Sequence, residues 1–450
     1  MNNDQLRALG FFDARIPRYT SYPPATVFST MQGTEFQNRC IAALDPGLPV
    51  SIYVHIPFCE RLCWFCACRT QGTKTLDPVT KYLEYVEQEL DELKARLPEG
   101  VRMGRLHWGG GTPTILPPDW IRRLAQAIKD TIPPADEFEF SVEIDPTLVS
   151  QDKIDALAEA GMSRASIGIQ DFDTDVQKAI GRHQSFEQTL ACVKMLRGAG
   201  IHSLNADLVY GLPNQTNDMI ASSIDKVLEL DPDRIALFGY AHVPHMSKRQ
   251  QLIDIDSLPD AEARFALSEL ATEKFLGAGM RAIGIDHFAK PDDSLAAADE
   301  TGHLRRNFQG YTVDTCETLI GIGASSISQF KQGFVQNASA TSAYIQRIQN
   351  GTLAGFRGHE HSKDDLLRAR VVESLMCDFE VDLSGLRRDF GLLTETLEPD
   401  HIAVCDRFGA VIRRTEDKLT ICSNGRQLAR LVAHMYDHTG VEAGNYSKAS

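Results

Sequence analysis

Short runs of β-forming residues alternate with amphipathic helical stretches from residue 50 to about residue 290. Between the first two runs, leucine and valine recur at three- and four-residue steps over residues 78–97, which predicts one apolar helix face. Ser150 is placed to begin another helix, and Gly161 to end it. The predicted strands are Val50–Ile56, 105–108, 138–144, 165–169, 203–209, 235–240 and 282–285. This alternation is typical of parallel βα units. We therefore expect an α/β fold built on a parallel (β/α) barrel, partial or complete, with a doubly wound open sheet as the alternative.

Polar residues and glycines follow six successive predicted strands, at the point where each strand ends. In a parallel barrel the carboxyl ends of the strands form the mouth of the active site. Their repeated appearance there favours an enzyme over a scaffold protein. The segments are 55–59, 109–113, Glu143 to Asp145, Gln170 with Asp171, Asp207 with 210–213, and Tyr240 to His242.

The chain of 450 residues is long enough for two or three domains. Residues 50–335 carry the predicted barrel, and residues 1–49 form an N-terminal arm that we expect to fold over the active site. After residue 335 the pattern changes to helices at 364–379 and 383–390, two short strands within 410–422 and a helix at 426–436. Residues 336–450 are therefore predicted to form a smaller, mostly helical domain, similar to a winged helix, that acts as a lid.

The charge balance and hydropathy exclude two broad classes of protein. The formal net charge is -15, with 61 acidic against 46 basic side chains, whereas general nucleic-acid binding needs a clustered basic surface. No segment approaches the roughly 18 consecutive apolar residues of a membrane span. The expected location is the cytoplasm, where thiols stay reduced. Six of the ten cysteines occur singly in apolar surroundings and are interpreted as packing residues.

The other four cysteines lie within ten residues, directly after the first predicted strand. Cys59, Cys63, Cys66 and Cys68 have the spacing C-x3-C-x2-C-x-C. A structural zinc site usually combines two separated Cys or His pairs, and a redox pair of Cys63 and Cys66 would leave Cys59 without a role. An iron–sulfur interpretation uses Cys59, Cys63 and Cys66 as thiolate ligands of a [4Fe-4S] cluster. Three protein ligands leave one iron open to a further ligand, and this interpretation is favoured over the other two.

The cysteine spacing resembles the defining motif of the radical S-adenosylmethionine superfamily. Further segments, together with Cys68, resemble one of its families, the oxygen-independent coproporphyrinogen III oxidases. Related haem chaperones usually carry an aromatic residue at the position of Cys68 and lack the first segment below. The resemblance covers residues 15–437, and its segments are PRYTSYP at 17–23, YVHIPFC at 53–59, HWGGGTP at 107–113, YAHVP at 240–244, DHFA at 286–289 and NFQGY at 307–311.

The resemblance implies that each chain holds two molecules of S-adenosylmethionine as well as the cluster. Around the first molecule it places Tyr53, Gly110, Glu143 and Ile327. Around the second it places Phe65, Gly111, Thr112, Gln170, Arg182, Asp207 and Ala241. Seen without the resemblance, Arg182 would be interpreted as a solvated helix arginine. Tyr240 and His242 are the candidate catalytic residues. Arg18, Arg305 and Arg306 are candidates for contacting substrate carboxylates, with surface solvation as the alternative for each.

The reaction implied by the resemblance belongs to anaerobic haem and porphyrin biosynthesis. A radical derived from S-adenosylmethionine takes a hydrogen atom from the β-carbon of a propionate, and loss of CO2 and one electron leaves a vinyl group. Two such decarboxylations convert coproporphyrinogen III into protoporphyrinogen IX. The expected partners are this substrate and a flavodoxin- or ferredoxin-like electron donor, and the expected state is a monomer. A haem chaperone, a haem-modifying enzyme of the same superfamily and a non-catalytic metal-binding protein are the alternatives.

Overall fold

The computed structural model describes residues 1–31 and 33–440, and the predicted alternation of strands and helices is present in it. The strands, in chain order, are β1 (Val50–Ile56), β2 (Phe58–Cys59), β3 (Gln71–Gly72), β4 (Met103–Gly110), β5 (Pro134–Ile144), β6 (Arg164–Gln170), β7 (Ser203–Tyr210), β8 (Arg234–Gly239), β9 (Arg281–Ile283), β10 (His287–Ala289), β11 (Arg305–Asn307), β12 (Gly310–Thr312), β13 (Leu319–Ile322), β14 (Ile327–Phe330), β15 (Gly333–Asn337), β16 (Gly355–Glu360), β17 (Glu380–Asp382), β18 (Ile412–Arg414) and β19 (Lys418–Ile421).

The α-helices connect the parallel strands and make up most of the C-terminal region. In chain order they are α1 (Asn3–Ala8), α2 (Thr34–Ala42), α3 (Asp77–Lys94), α4 (Pro118–Thr131), α5 (Gln151–Glu159), α6 (Thr174–Ala179), α7 (Phe186–Gly198), α8 (Asn217–Glu229), α9 (Ala261–Gly277), α10 (Ser294–Glu300), α11 (Thr341–Gln349), α12 (Lys363–Cys377), α13 (Leu383–Phe390), α14 (Glu398–Phe408) and α15 (Ala429–His434). Short 3-10 helices include Lys248–Leu252 and Ser423–Leu428. No helix within 1–31 and 33–440 is both long and apolar enough to span a bilayer.

The large sheet has twelve strands in the order β16-β15-β14-β13-β1-β4-β5-β6-β7-β8-β10-β9. Its central strands, from β13 to β8, pair in parallel. Antiparallel strands flank this set on both sides, and within the described residues β16 and β9 are edge strands. The α/β fold is therefore confirmed, and the barrel is a partial one.

The seventh predicted strand is present as β9, but it pairs with a different strand from the one expected in a continuous parallel sheet. Strand β9 runs in the direction of β8 but does not pair with it, because β10 lies between them, antiparallel to both. Three residues connect β9 to β10, far fewer than the dozen or more that a parallel crossover needs. The chain therefore folds back as a hairpin, and the parallel part of the sheet ends at β8.

The predicted helices follow from their apolar spacing. Helix α3 buries Leu83, Val86, Leu90 and Leu93 on one face against the sheet. Helix α5 begins directly after Ser150, as expected. In the C-terminal region α13 and the β18–β19 hairpin lie where they were predicted, whereas α15 is shorter than 426–436 because its first part is a 3-10 helix.

The two largest hydrophobic cores among the described residues are separate from each other. The first packs the parallel strands against their helices and includes residues up to Ala354. The second combines residues 6–22 of the arm with residues 367–436. The large sheet continues to β16, beyond residue 335. The division into domains at 49 and 335 stays a prediction, but the arm and the C-terminal helices share one core.

Candidate active site

A cavity of about 930 Å³ opens at the carboxyl ends of the parallel strands. This volume is near the upper end of the roughly 300–1,000 Å³ range of ligand pockets. The described residues that line it lie at 16–20 of the arm and between 53 and 336. Of the predicted site residues, those on this wall are Tyr53, Cys59, Cys63, Phe65, Cys66, Gly110, Gly111, Thr112, Glu143, Gln170, Arg182, Asp207, Tyr240, Ala241 and Ile327.

The cysteine loop follows β1 and is held from two sides. The Trp64 amide donates to the Ile180 carbonyl at 2.8 Å. From the 3-10 helix Lys248–Leu252 and its N-cap, Gln250 Nε2 donates to the Phe65 carbonyl at 2.7 Å and Ser247 Oγ donates to the Cys66 carbonyl at 2.9 Å. These bonds satisfy the backbone of a loop that has little regular structure, and they orient its three cysteines toward the cavity.

The surroundings of the three thiols favour the thiolate form at Cys66. The pKa of Cys66 is lowered to about 6, first by a hydrogen bond from Cys68 and further by the charges of Arg249 and Arg182, against the effect of burial. Arg182 Nη1 lies 3.6 Å from Cys63 Sγ. Burial raises the pKa of Cys59 to about 11. Thiolate ligands need such positive neighbours in a partly buried site.

A cubane distributes its thiolate ligands over different irons, so the cysteines need not converge on one point. Among residues 1–31 and 33–440, no group of three or more His, Cys, Asp or Glu side chains could hold a single metal ion. Three cysteines on one loop, all on the wall of one cavity, fit a [4Fe-4S] cluster with three protein ligands.

The glycines after β4 are required by contacts within the chain. A Cβ on Gly110, whose φ is +108°, would lie 2.5 Å from the His55 ring, and a Cβ on Gly111 would lie 2.5 Å from the Phe58 carbonyl oxygen. The resemblance places both glycines around S-adenosylmethionine. In the structure the directions in which their side chains would point are filled by the segment that precedes the cysteine loop. The Gly111 amide donates to the Ile56 carbonyl at 2.8 Å, which fixes this segment against β4.

Alternate residues of the central strands form a polar layer inside the cavity. Strand register places Tyr53 beside His107 and His107 beside Ser141. The Tyr53 and His107 rings stack with centroids 5.8 Å apart, and His107 is joined to Ser141 Oγ at 2.6 Å. Glu143 Oε2 accepts a hydrogen bond from the Gly110 amide at 3.1 Å. Its side chain is 41% exposed, so it remains available to a ligand.

Asp207 and Gln170 continue this layer on the next strands. Ser166 Oγ and Asn205 Nδ2 donate to the Asp207 carboxylate at 3.0 and 2.7 Å. Burial, followed by the charge of Glu143, nevertheless raises the pKa of Asp207 to about 6. Gln170 ends β6 with φ of +70°, a conformation that a non-glycine side chain adopts rarely and mostly at functional sites.

Arg182 is buried, which rules out the interpretation as a solvated helix arginine. Its side chain is 8% exposed. Its guanidinium donates to the Gly168 carbonyl at 2.8 Å and to Gln184 Oε1 at 2.7 Å, and it lies 3.5 Å from Asp145 Oδ2. It therefore bridges the end of β6 to the cysteine loop.

The two candidate catalytic residues occupy different positions. Tyr240 lies directly after β8 and lines the cavity. His242 Nδ1 is joined to Tyr240 Oη at 2.9 Å, but His242 is not among the cavity-lining residues. Both assignments as catalytic residues stay predictions.

Comparison with known proteins now identifies the family. The sequence matches the Radical SAM superfamily over residues 53–227. It is 57% identical to an oxygen-independent coproporphyrinogen III oxidase of Cereibacter sphaeroides over 99% of both chains, and 52% identical to one of Paracoccus denitrificans over 99% of both. The structure matches the coproporphyrinogen III oxidase (HemN) of Escherichia coli, a radical SAM enzyme, with TM-score 0.90 and 35% identity over 94% of this chain and 97% of that one.

The chain belongs to the oxygen-independent coproporphyrinogen III oxidases. It is therefore an oxidoreductase of the radical SAM type, and the cluster and S-adenosylmethionine are the cofactors of that superfamily. Among the cavity-lining residues of this oxidase to which the sequence analysis gave no individual role are His55, His107 and Arg249. The two-residue alternation of β1 and β4 was a usable signal for the histidines, since it places them on the same face as Tyr53. No local pattern pointed to Arg249, which reaches the loop from a distant 3-10 helix.

Proposed function

We propose that this oxidase converts two propionate side chains of coproporphyrinogen III into vinyl groups and yields protoporphyrinogen IX. Each propionate that becomes a vinyl group loses one hydrogen atom from its β-carbon, which ends in 5′-deoxyadenosine, one CO2, and one electron, which passes to a one-electron acceptor. The observation that carries the proposal is the assembly of the three cysteines and eleven predicted cofactor residues on one cavity wall. Relatives at 57% and 52% identity that are named as oxidases favour this activity over a haem chaperone.

Cys59, Cys63 and Cys66 are proposed as the cluster ligands. When bound, the cluster and S-adenosylmethionine supply a one-electron cleavage that delivers a hydrogen-abstracting radical. The bonds from the Gln250 and Ser247 side chains to the loop hold the ligand positions in place. The location proposed for such a reduced, oxygen-sensitive site is the cytoplasm.

The first S-adenosylmethionine is proposed to contact Tyr53, Gly110, Glu143 and Ile327. The Gly110 amide fixes Glu143 Oε2, and His107 lies 3.4 Å from Oε1. The carboxylate is thereby held in one orientation in which it can accept a hydrogen bond from the ammonium group of the ligand. Tyr53, joined to His55 at 3.0 Å, lines the same cavity.

A second S-adenosylmethionine is proposed beside Phe65, Gly111, Thr112, Gln170, Arg182, Asp207 and Ala241. Arg182 supports this assignment because it is buried on the cavity wall and carries the positive charge that a ligand carboxylate needs. Gln250 Nε2 also donates to the Ala241 carbonyl at 3.0 Å, which couples this residue to the cysteine loop. Tyr240 is proposed as a catalytic residue at the end of β8, with His242 orienting its hydroxyl.

The proposed partners are coproporphyrinogen III and an electron donor of the flavodoxin or ferredoxin type, and the proposed state is a monomer. The test is anaerobic reconstitution with iron and sulfide, followed by incubation with coproporphyrinogen III, a reductant and S-adenosylmethionine. We expect four irons per chain, and two CO2 and protoporphyrinogen IX per substrate, with release of 5′-deoxyadenosine. Four irons without decarboxylation, or a stable complex with added haem in place of turnover, would contradict the proposal.

A further inference from the structure

The β11–β12 hairpin carries two adjacent arginines that face opposite ways. Arg305 is 45% exposed, and its Nη1 lies 3.4 Å from the Glu373 carboxylate. The Arg306 side chain is 4% exposed and lies on the wall of the cavity. Successive residues of a strand point to opposite faces, so these two arginines, both candidates for contacting substrate carboxylates, are separated by the structure.

Arg306 has hydrogen-bonding capacity that the described residues do not use. Its Nε and Nη1 are buried and have no hydrogen-bond partner within residues 1–31 and 33–440. Only Nη2 donates, to the Arg18 carbonyl at 3.3 Å. The guanidinium stacks 4.4 Å from the centre of the Tyr311 ring, which fixes its plane. Buried unpaired donors of a charged group cost free energy unless a ligand satisfies them.

The nearest carboxylate, that of Asp286, only weakly neutralises the charge of Arg306. Asp286 Oδ1 lies 4.0 Å from Arg306 Nη1, at the limit of an ion pair. The same oxygen has a closer partner in His287 Nδ1, at 2.6 Å. Asp286 is thus shared between two groups, and its stronger hydrogen bond goes to the histidine.

A second arginine on the same wall comes from the N-terminal arm. Arg18 Nη2 donates to the Gly239 carbonyl at 2.8 Å, and Arg18 also lines the cavity. Arg430 donates to the Ile16 carbonyl at 2.8 Å and holds the arm in this position. The charge of Arg18 acts on Asp286 and on Arg430, so these groups share one electrostatic environment. The cavity wall therefore carries more positive than negative charge here.

From these contacts we infer that Arg306, assisted by Arg18, binds a propionate carboxylate of the tetrapyrrole substrate. The inference rests on the proposed function and names the part of the wall that recognises the substrate. A carboxylate can accept two parallel hydrogen bonds from the two terminal nitrogens of a guanidinium. In Arg306, Nη1 has no hydrogen-bond partner among the described residues, and Nη2 uses one of its two hydrogens for the Arg18 carbonyl. In an acidic protein, this local surplus of positive charge gives a polyanionic ring a defined orientation in the cavity.

The test measures binding of two probes to the reconstituted enzyme by fluorescence titration without oxygen. Coproporphyrin III carries four carboxylates, and its tetraamide has nearly the same shape without charge. We expect Arg306→Gln to weaken binding of coproporphyrin III by about 10- to 100-fold, the range for a lost hydrogen bond to a charged group. Binding of the tetraamide should change by less than about twofold. Arg306→Lys, which keeps the charge but not the planar fork, should lie between the two.

Arg305→Gln is the matched control, because it removes a guanidinium from the neighbouring position of the same strand. It should leave the affinity for both probes as in the wild type. If Arg306→Gln misfolds, as judged by its melting temperature and iron content, Arg18→Gln on the exposed arm is the second variant. It should weaken the binding of coproporphyrin III by up to about fivefold and leave the binding of the tetraamide unchanged.

Two outcomes would overturn the inference, and each can be told from a failure of the proposed function. The first is that Arg306→Gln binds coproporphyrin III as tightly as Arg305→Gln does. The second is that Arg306→Gln loses affinity for both probes equally, which would indicate an effect of shape. In either case wild-type turnover of coproporphyrinogen III would still support the proposed function. A wild-type enzyme that binds neither probe and converts no substrate would overturn both.

Discussion

The cysteine loop and the Arg18–Arg306 pair lie on the wall of the same cavity but are built in different ways. The three predicted iron ligands lie within eight residues of one loop, directly after β1. The two arginines are 288 residues apart and meet only because the arm packs on the hairpin. A cluster needs ligands at short, fixed separations, which one loop can provide. A large substrate must be contacted on several sides, and this requires distant segments.

The largest effect is expected from removing a cysteine ligand. Cys63→Ser should abolish cluster absorbance, 5′-deoxyadenosine release and decarboxylation, because the other thiol of the loop, Cys68, is hydrogen-bonded to Cys66 and does not occupy the position of the lost ligand. Iron analysis and product assays after anaerobic reconstitution measure this. Cys422→Ser, outside the cavity, is the control and should retain four irons. A Cys63→Ser enzyme with full turnover would remove this residue from the ligand set.

The next effect tests how closely the cysteine loop is packed against β4. In Gly111→Ala the new Cβ would meet the Phe58 and Ile56 carbonyl oxygens at 2.5 and 2.8 Å, so the backbone before Cys59 must move. A displacement near 1 Å at a catalytic site costs about 100-fold in rate, and we expect a loss of kcat of that order. The control is Gly198→Ala in α7, where nothing lies within 4 Å of a new Cβ. Equal activity of the two variants would show that the loop adapts without cost.

The smallest expected effect is on the pH dependence of stability, and it concerns the buried carboxyl group of Glu89. Glu89 of α3 accepts hydrogen bonds from Tyr344 Oη at 2.7 Å, the Gly323 amide at 2.7 Å and Asn337 Nδ2 at 2.8 Å. These bonds hold the turn that leads to Ile327. Burial outweighs them and raises the pKa of Glu89 to about 7.

The raised pKa of Glu89 predicts a specific dependence of stability on pH. Between about pH 4.5 and pH 7 the unfolded chain releases a proton that the folded protein retains. The contribution to stability is therefore complete below pH 4.5 and is lost as the pH rises through 7, by up to about 3 kcal/mol. Urea unfolding of the Glu89→Gln variant from pH 5 to 8 should lack this slope, although the variant also loses one hydrogen bond. An unchanged slope would contradict the assignment to Glu89.

Much of the fold and most of the site could be predicted because they depend on local sequence patterns. The apolar face of α3 and the strand β1 follow from residue spacing, and the cysteine spacing marks the cluster loop. The strand β9 could be predicted, but its pairing could not. A hairpin places β10 between β8 and β9, whereas a crossover would pair β9 with β8 directly, and the residues of β9 alone do not distinguish the two. The different environments of Arg305 and Arg306 also could not be predicted, since both are arginines on one short strand. The same is true of His242, which follows a strand end but lies beside Tyr240 rather than on the cavity wall.

Taken by itself, the sequence determined the parallel βα framework, the spacing of the three cysteines proposed as ligands, and the family, because each depends on residue type and position along the chain. Tertiary structure alone decided that the arm shares a core with residues 367–436 and that Arg18 meets Arg306. It also decided that the space beside Gly110 and Gly111 is filled by the chain itself. These features depend on packing between segments that are far apart in sequence, and packing depends on the three-dimensional fit of whole surfaces.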